Sequence, residues 1–241
     1  MKIKAVSIII PSYKQEKTII SDVENLKKIV DQIKYKVEVI FVIDGMVDQT
    51  YDLVSKKIIK YPNYKVLSYK ENKGKGYAVK FGMKNSTGDI VGFIDAGMDI
   101  NPQGLLIALA EFEKRDRDIV IGSKKHPRSE VSYPLNRSII SYVYQKLVKV
   151  LFDLPVSDTQ VGLKLYKREV LNKILPKTKI NGFAFDIEML SLAYQSGYKN
   201  IGEIPVKVNL ILGNDSKSLD LNLIKSSINM FFDTLKVCLK I

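Results

Sequence analysis

Short apolar runs alternate with amphipathic stretches through the first half of the chain. Residues 5–10 form a run rich in β-branched side chains, and residues 37–43 and 90–94 repeat the pattern. Runs this short and continuous predict strands buried on both faces. Between the first two, Ile19, Val23, Leu26, Ile29, Val30 and Ile33 share one face of a helix over 18–33. The same reading places helices at 49–61, 75–85 and 101–115, the last with Pro102 in its favoured first turn, and strands at 64–69 and 118–121. This alternation predicts right-handed βαβ units, hence an α/β fold with a mostly parallel central sheet and helices on both faces.

The pattern changes after residue 123. Residues 124–134 are polar and basic with two prolines and predict a loop; 136–152 is amphipathic and predicts a helix. Strands at 161–166 and 201–208 flank a helix at 185–195, and 213–218 reads as a flexible loop. The segment 223–241 aligns Ile224, Ile228, Phe231, Phe232, Leu235, Cys238 and Leu239 on one helical face. That face either packs on the protein's own core or lies against a membrane interface or an acceptor lipid.

Composition narrows the chemistry. The chain has 241 residues, 46% of them hydrophobic, enough for one substantial core. Its net charge of +12 favours an anionic partner. The lysines are scattered and no nucleic-acid-binding motif is present, so phosphorylated substrates and anionic membranes are favoured over nucleic acid. Cys238 is alone, which excludes a disulfide framework and a cysteine zinc site. His126 is the single histidine, which excludes any multi-histidine metal site. Any metal must be held by oxygen ligands, which suits Mg²⁺ or Mn²⁺. No stretch approaches the roughly 20 apolar residues of a membrane-spanning helix. A cytoplasmic chain, peripheral on the cytoplasmic face of a membrane, is the expectation.

Chemistry-bearing residues collect at strand ends. After the run 90–94 come Asp95 and Asp99, two acids at the edge where open parallel sheets bind ligands. After the first strand comes Pro11-Ser-Tyr13-Lys-Gln-Glu16, and after the second Asp44-Gly-Met-Val-Asp48-Gln-Thr50. Asn72-Lys-Gly74-Lys75-Gly76-Tyr-Ala78 opens the third helix, and Gly122-Ser-Lys124 follows the fifth strand. Further on stand Asp158-Thr-Gln160-Val-Gly162-Leu-Lys164 and Phe185-Asp186-Ile-Glu188. Asp186 and Glu188 are two apart on a helix and point in different directions.

In this order the motifs resemble glycosyltransferase family 2, with its GT-A nucleotide-sugar-binding fold, and within it the polyprenyl- or dolichyl-phosphate hexosyltransferases, most of all the dolichyl-phosphate glucosyltransferase branch. The resemblance covers about residues 5–210. It departs from the family at Lys14, Ile43 and Met46, and at Gly97, where the family's Asp-x-Asp metal motif has its second acid. It implies a catalytic domain over 1–218, with a nucleotide-sugar half at about 1–122 and an acceptor half at about 123–218, followed by the amphipathic helix 219–241. It also implies a metal on Asp95, with Asp99 replacing the missing acid. Asp44 would accept hydrogen bonds from the base, with Pro11, Tyr13 and Glu16 around it. Gly74 and Gly76 would let the backbone approach the nucleotide, and Lys75 would meet its diphosphate. Asp158 and Gln160 would sit near the sugar. Lys124 and Arg137, assisted by Lys125 and Arg128, would receive the acceptor phosphate.

The implied reaction is inverting transfer of a hexose, glucose from UDP-glucose first, onto a polyprenyl phosphate. GDP-mannose as donor and a glycan hydroxyl as acceptor stay open, the latter requiring Asp158, Asp186 or Glu188 as general base. A nucleotide-sugar-binding protein without turnover is the remote alternative.

Overall fold

The computed structural model describes residues 2–132, 144, 146–209 and 221–240. Its centre is a seven-stranded sheet in the order β3-β2-β1-β4-β7-β5-β8. The strands are β1 (Ala5–Ser12), β2 (Lys36–Asp44), β3 (Tyr64–Tyr69), β4 (Ile90–Ile94), β5 (Ile119–Ser123), β7 (Leu163–Lys167) and β8 (Ile201–Pro205). All neighbours run parallel except β7, which lies antiparallel between β4 and β5. Two short strands, β6 (Glu130–Ser132) and β9 (Lys207–Asn209), pair separately.

Strand alternation divides the interior into two cores. Val6, Ile8 and Ile10 of β1 face a layer built from α1 (Ile19–Val30), α2 (Thr50–Ile58) and α4 (Gly104–Lys114). Ile9 faces the opposite layer, built from α3 (Lys75–Lys84), α6 (Arg168–Ile174), α7 (Phe185–Gln195) and α8 (Leu221–Lys240), to which α5 (146–152) adds its helical turns. The expected α/β sheet covered on both faces is therefore present.

The first half follows its pattern to within a few residues, but the second half departs from it. Residues 201–208 are two strands in two sheets, separated at Val206, because Pro205 cannot continue the main ladder. The loop expected at 124–134 contains β6, and α6 was not anticipated. Residues 213–218, and most of 136–145, lie outside the described residues.

Among its described side chains, helix α8 leaves part of its apolar stripe exposed. Of the described side chains, Thr234 and Val237 are buried, while Phe231, Phe232 and Leu239 are 41%, 56% and 87% exposed. Thr234 is locked inward because its hydroxyl meets the Tyr144 hydroxyl at 2.6 Å and donates to the Met230 carbonyl at 2.7 Å. Among the described residues, no helix is long and apolar enough to cross a membrane.

Candidate active site

The C-terminal ends of β1, β2, β4 and β5 share one edge of the sheet, and antiparallel β7 starts there. Residues 158–162, α3 and the strand-end motifs thus converge on one cleft. The Asp95 backbone N–H donates to the Gly162 carbonyl at 3.0 Å, continuing the β4–β7 ladder to the strand tip. A Cβ on Gly162 would sit 1.9 Å from Asp95 Oδ2, so glycine is required for the carboxylate to stand where it does.

Asp95 is one member of a row of alternating charges. Lys75, at the first turn of α3, places Nζ 2.7 Å from Oδ1 and 2.8 Å from Oδ2 of Asp95. Asp186, on α7, lies electrostatically next to Lys75. Its Oδ1 accepts from Lys164 Nζ at 2.6 Å, and Lys164 also donates to the Val161 carbonyl at 2.7 Å. Asp186 and Lys164 are 2% and 0% exposed, so the row runs from the interior out to Asp95, whose side chain is 32% exposed. Burial pushes the Lys75 ammonium down, but Asp95 first and Asp186 second outweigh it and hold it above its ordinary value. Burial raises Asp186 and lowers Lys164, and their contact opposes both shifts.

Asp44 was expected to receive the base. Instead its carboxylate is 3% exposed and its acceptor positions serve the chain itself. Oδ1 accepts from the Tyr69 hydroxyl at 2.9 Å and the Lys73 N–H at 2.7 Å; Oδ2 accepts from Asn72 Nδ2 and the Gly74 N–H, both at 3.0 Å. A carboxylate has about four acceptor sites. Asp44 is therefore the staple that shapes the 69–74 turn into α3.

Gly74 and Gly76 are also required by the protein's own packing. A Cβ on Gly74 would lie 2.6 Å from the Asn181 carbonyl oxygen, and one on Gly76 would lie 2.6 Å from Phe185 Cβ. The space their missing side chains leave is filled by the protein's own 181–185 segment. Gly74 also has φ +95°, which disfavours any side chain.

The remaining candidates are distributed around the cleft. Pro11 lies within β1 and Tyr13 just beyond it, 41% exposed. Glu16 and the next loop clamp each other: its N–H donates to Asp48 at 3.3 Å and its carboxylate accepts from the Gln49 N–H at 3.2 Å. Asp158, 1% exposed, accepts from the N–H groups of Lys124 at 3.2 Å and Gln160 at 3.1 Å, and Lys124 Nζ is 3.8 Å away. Gln160 Nε2 is buried without a hydrogen-bond partner among the described residues. Lys125 and Arg128 are exposed on a turn held by Ser129, whose hydroxyl donates to the Ser123 carbonyl at 2.6 Å. Arg137 lies outside the described residues.

Asp22 is a site residue that the sequence reading missed. It is 2% exposed, accepts from the Gly97 N–H at 2.9 Å, and is the electrostatic neighbour of Asp99. Burial raises its pKa, and the Gly97 and Thr18 hydrogen bonds oppose that. It holds a strained loop, since Gly97 and Met98 have φ of 85° and 52°. Its signal was an acid three residues after Ile19 on the buried stripe of α1.

Among the described residues, no three His, Cys, Asp or Glu side chains gather to hold a metal. The donors at the β4 tip are carboxylate oxygens, which fit Mg²⁺ or Mn²⁺ only where a substrate's phosphates complete the coordination.

The family model for glycosyl transferase family 2 matches residues 7–175. The chain belongs to glycosyl transferase family 2. It is 32% identical over 246 residues to a dolichyl-phosphate β-glucosyltransferase of Dictyostelium discoideum, covering 96% of this chain and 73% of that protein. The Saccharomyces cerevisiae dolichyl-phosphate β-glucosyltransferase is 26% identical over 227 residues, covering 86% and 68%. Among solved structures, glucosyl-3-phosphoglycerate synthase of Mycobacterium tuberculosis superposes with a TM-score of 0.73 at 20% identity, covering 98% of this chain and 80% of that one. That enzyme was solved with Mn²⁺, UDP and glucosyl-3-phosphoglycerate. At this identity the likeness shows the shared GT-A fold.

Asp44→Asn puts an amide nitrogen against N–H donors. It should cost about 1–3 kcal/mol of stability and speed amide exchange at Lys73 and Gly74. Chemical denaturation and hydrogen exchange measure both, and unchanged exchange at those amides would contradict the staple.

Proposed function

We propose that this protein transfers glucose from UDP-glucose to the phosphate of a polyprenyl, dolichyl-type lipid, with inversion at the anomeric carbon. The observation that carries the reading is the Asp95–Lys75 pair at the β4 tip, in a chain whose named relatives are dolichyl-phosphate β-glucosyltransferases. The pair offers a carboxylate for a divalent cation and an ammonium for a diphosphate within one cleft.

In the proposed step, a phosphate oxygen of the acceptor attacks the anomeric carbon in line with the bond to the donor's β-phosphate. That bond breaks and UDP departs with the electron pair. A Mg²⁺ or Mn²⁺ held by Asp95 and the diphosphate oxygens, with Asp99 as second candidate ligand, would neutralise charge on the leaving group. Lys75 adds a fixed positive charge at the same place. Lys124, held in place by Asp158, and the exposed Lys125, Arg128 and Arg137 would gather the acceptor's phosphate. Pro11, Tyr13 and Glu16 would flank the nucleotide, and Gln160, with its spare buried donor, would face the sugar.

A phosphate acceptor is favoured over a glycan hydroxyl because each candidate base is already engaged by the chain. Asp158 serves two backbone N–H groups and Asp186 is paired with Lys164. Glu188 accepts from the Lys179 and Ile180 N–H groups at 2.8 and 2.9 Å. A phosphate monoester already carries about −1.5 to −2 charge at neutral pH and needs no deprotonation.

Attachment to the lipid surface would come from α8. Phe231, Phe232 and Leu239 are exposed there, Lys236 is exposed beside them, and the net charge of +12 draws the chain to anionic lipid.

With polyprenyl phosphate as acceptor and a panel of nucleotide sugars, UDP-glucose should be turned over fastest. Asp95→Asn and Gly162→Ala should each lower the rate by about 10²-fold or more through loss or displacement of the carboxylate. Faster use of GDP-mannose would overturn the donor assignment. In a flotation assay with anionic vesicles, Phe231→Ser with Phe232→Ser should release the protein into the soluble fraction; undiminished flotation would refute the role of α8.

A further inference from the structure

The metal-facing carboxylate already has a cation. Lys75 Nζ stands within 2.8 Å of both Asp95 oxygens, which is the position a chelated ion would take, and Gly162 closes on Oδ2 from another side. The four charges Asp95, Lys75, Asp186 and Lys164 sum to zero. A divalent ion entering alone would add two positive charges to this partly buried group, of which Asp99, the second candidate ligand, offsets at most one, and a low-dielectric setting penalises the excess. An arriving diphosphate removes the excess and gives the ammonium a second anion to meet.

We propose that Lys75 is the resident counter-ion of Asp95 and competes with divalent metal for it, so that metal binds weakly until a nucleoside diphosphate takes the ammonium over. This rests on the donor reading given above. Lys75 then has two roles. It blocks the carboxylate in the free protein and binds the leaving group in the loaded one, so metal and nucleotide enter as linked ligands. Asp186, anchored by Lys164, is the positioning residue that keeps Lys75 within reach of both.

Mn²⁺ titration of the full chain, read as the electron paramagnetic resonance signal of the free ion, tests this without turnover. Wild-type protein should bind Mn²⁺ weakly alone and about tenfold or more tightly with saturating UDP. Lys75→Gln should bind Mn²⁺ alone about tenfold more tightly than wild type, as expected for removing a neighbouring like charge, and lose most of the gain from UDP. Lys75→Arg, which keeps the charge, should stay as weak as wild type, and Lys75→Gln with Asp95→Asn should lose the gain. Mn²⁺ affinity in Lys75→Gln equal to or below wild type would overturn the competition. Should that variant not fold, wild-type Mn²⁺ affinity indifferent to UDP would overturn it equally. If UDP fails to bind wild-type protein at any Mn²⁺ concentration, the donor reading fails with it; UDP binding with no tightening in Lys75→Gln removes this proposal alone.

Discussion

The arrangement of the cleft depends on charges that cannot be left unpaired inside a protein. Lys164 sits on a strand face that otherwise meets apolar helices, and it is tolerated there because α7 delivers Asp186 within 2.6 Å. Removing either partner would strand a buried charge, a loss of about 3–5 kcal/mol in typical cases. Replacing both by apolar groups would cost far less, so the pair is not explained by stability alone. Its position behind Lys75 connects it to the surface, because each charge fixes the next until Asp95 reaches the cleft.

Backbone constraints support the same row. Asp44 gathers four donors from residues 69–74 and so sets where α3 begins and where Lys75 stands. Gly74 and Gly76 let the 181–185 segment close against α3, which brings Asp186 alongside. Gly162 leaves room for the Asp95 carboxylate on the antiparallel strand. Asp22 holds the Gly97 amide and thus the loop that carries Asp99. Several residues that in sequence looked like ligand contacts also carry the backbone geometry of the cleft.

Sequence reading succeeded where neighbours along the chain decide the structure. The runs 90–94 and 19–30 match β4 and α1 closely because a continuous apolar run and a 3.6-residue apolar stripe are local signals. It failed where distant pairing decides. The antiparallel course of β7 depends on partners more than 40 residues away in β4 and β5, and nothing within 161–166 states a direction. The break at Val206 was marked by Pro205, yet 201–208 was read as one strand. Asp95 was placed at its strand tip from the apolar run before it, but its partner Lys75 was read only as a diphosphate contact. The structural role of Asp44 was not legible because its donors lie 25–30 residues downstream, beyond any local pattern. The apolar stripe of α8 was found, yet the exposure of Phe231, Phe232 and Leu239 depends on Thr234 and Val237 facing in.

The central claim is that the β4 tip is the metal and diphosphate end of a nucleotide-sugar site. A crystal structure of the protein with UDP and Mn²⁺, with the ion located by its anomalous signal, tests this most directly. The account predicts the Mn²⁺ peak at coordination distance from Asp95 and from the diphosphate oxygens, with Lys75 Nζ turned from Asp95 to the diphosphate. UDP bound away from the β4 tip, or Mn²⁺ held without Asp95, would contradict it.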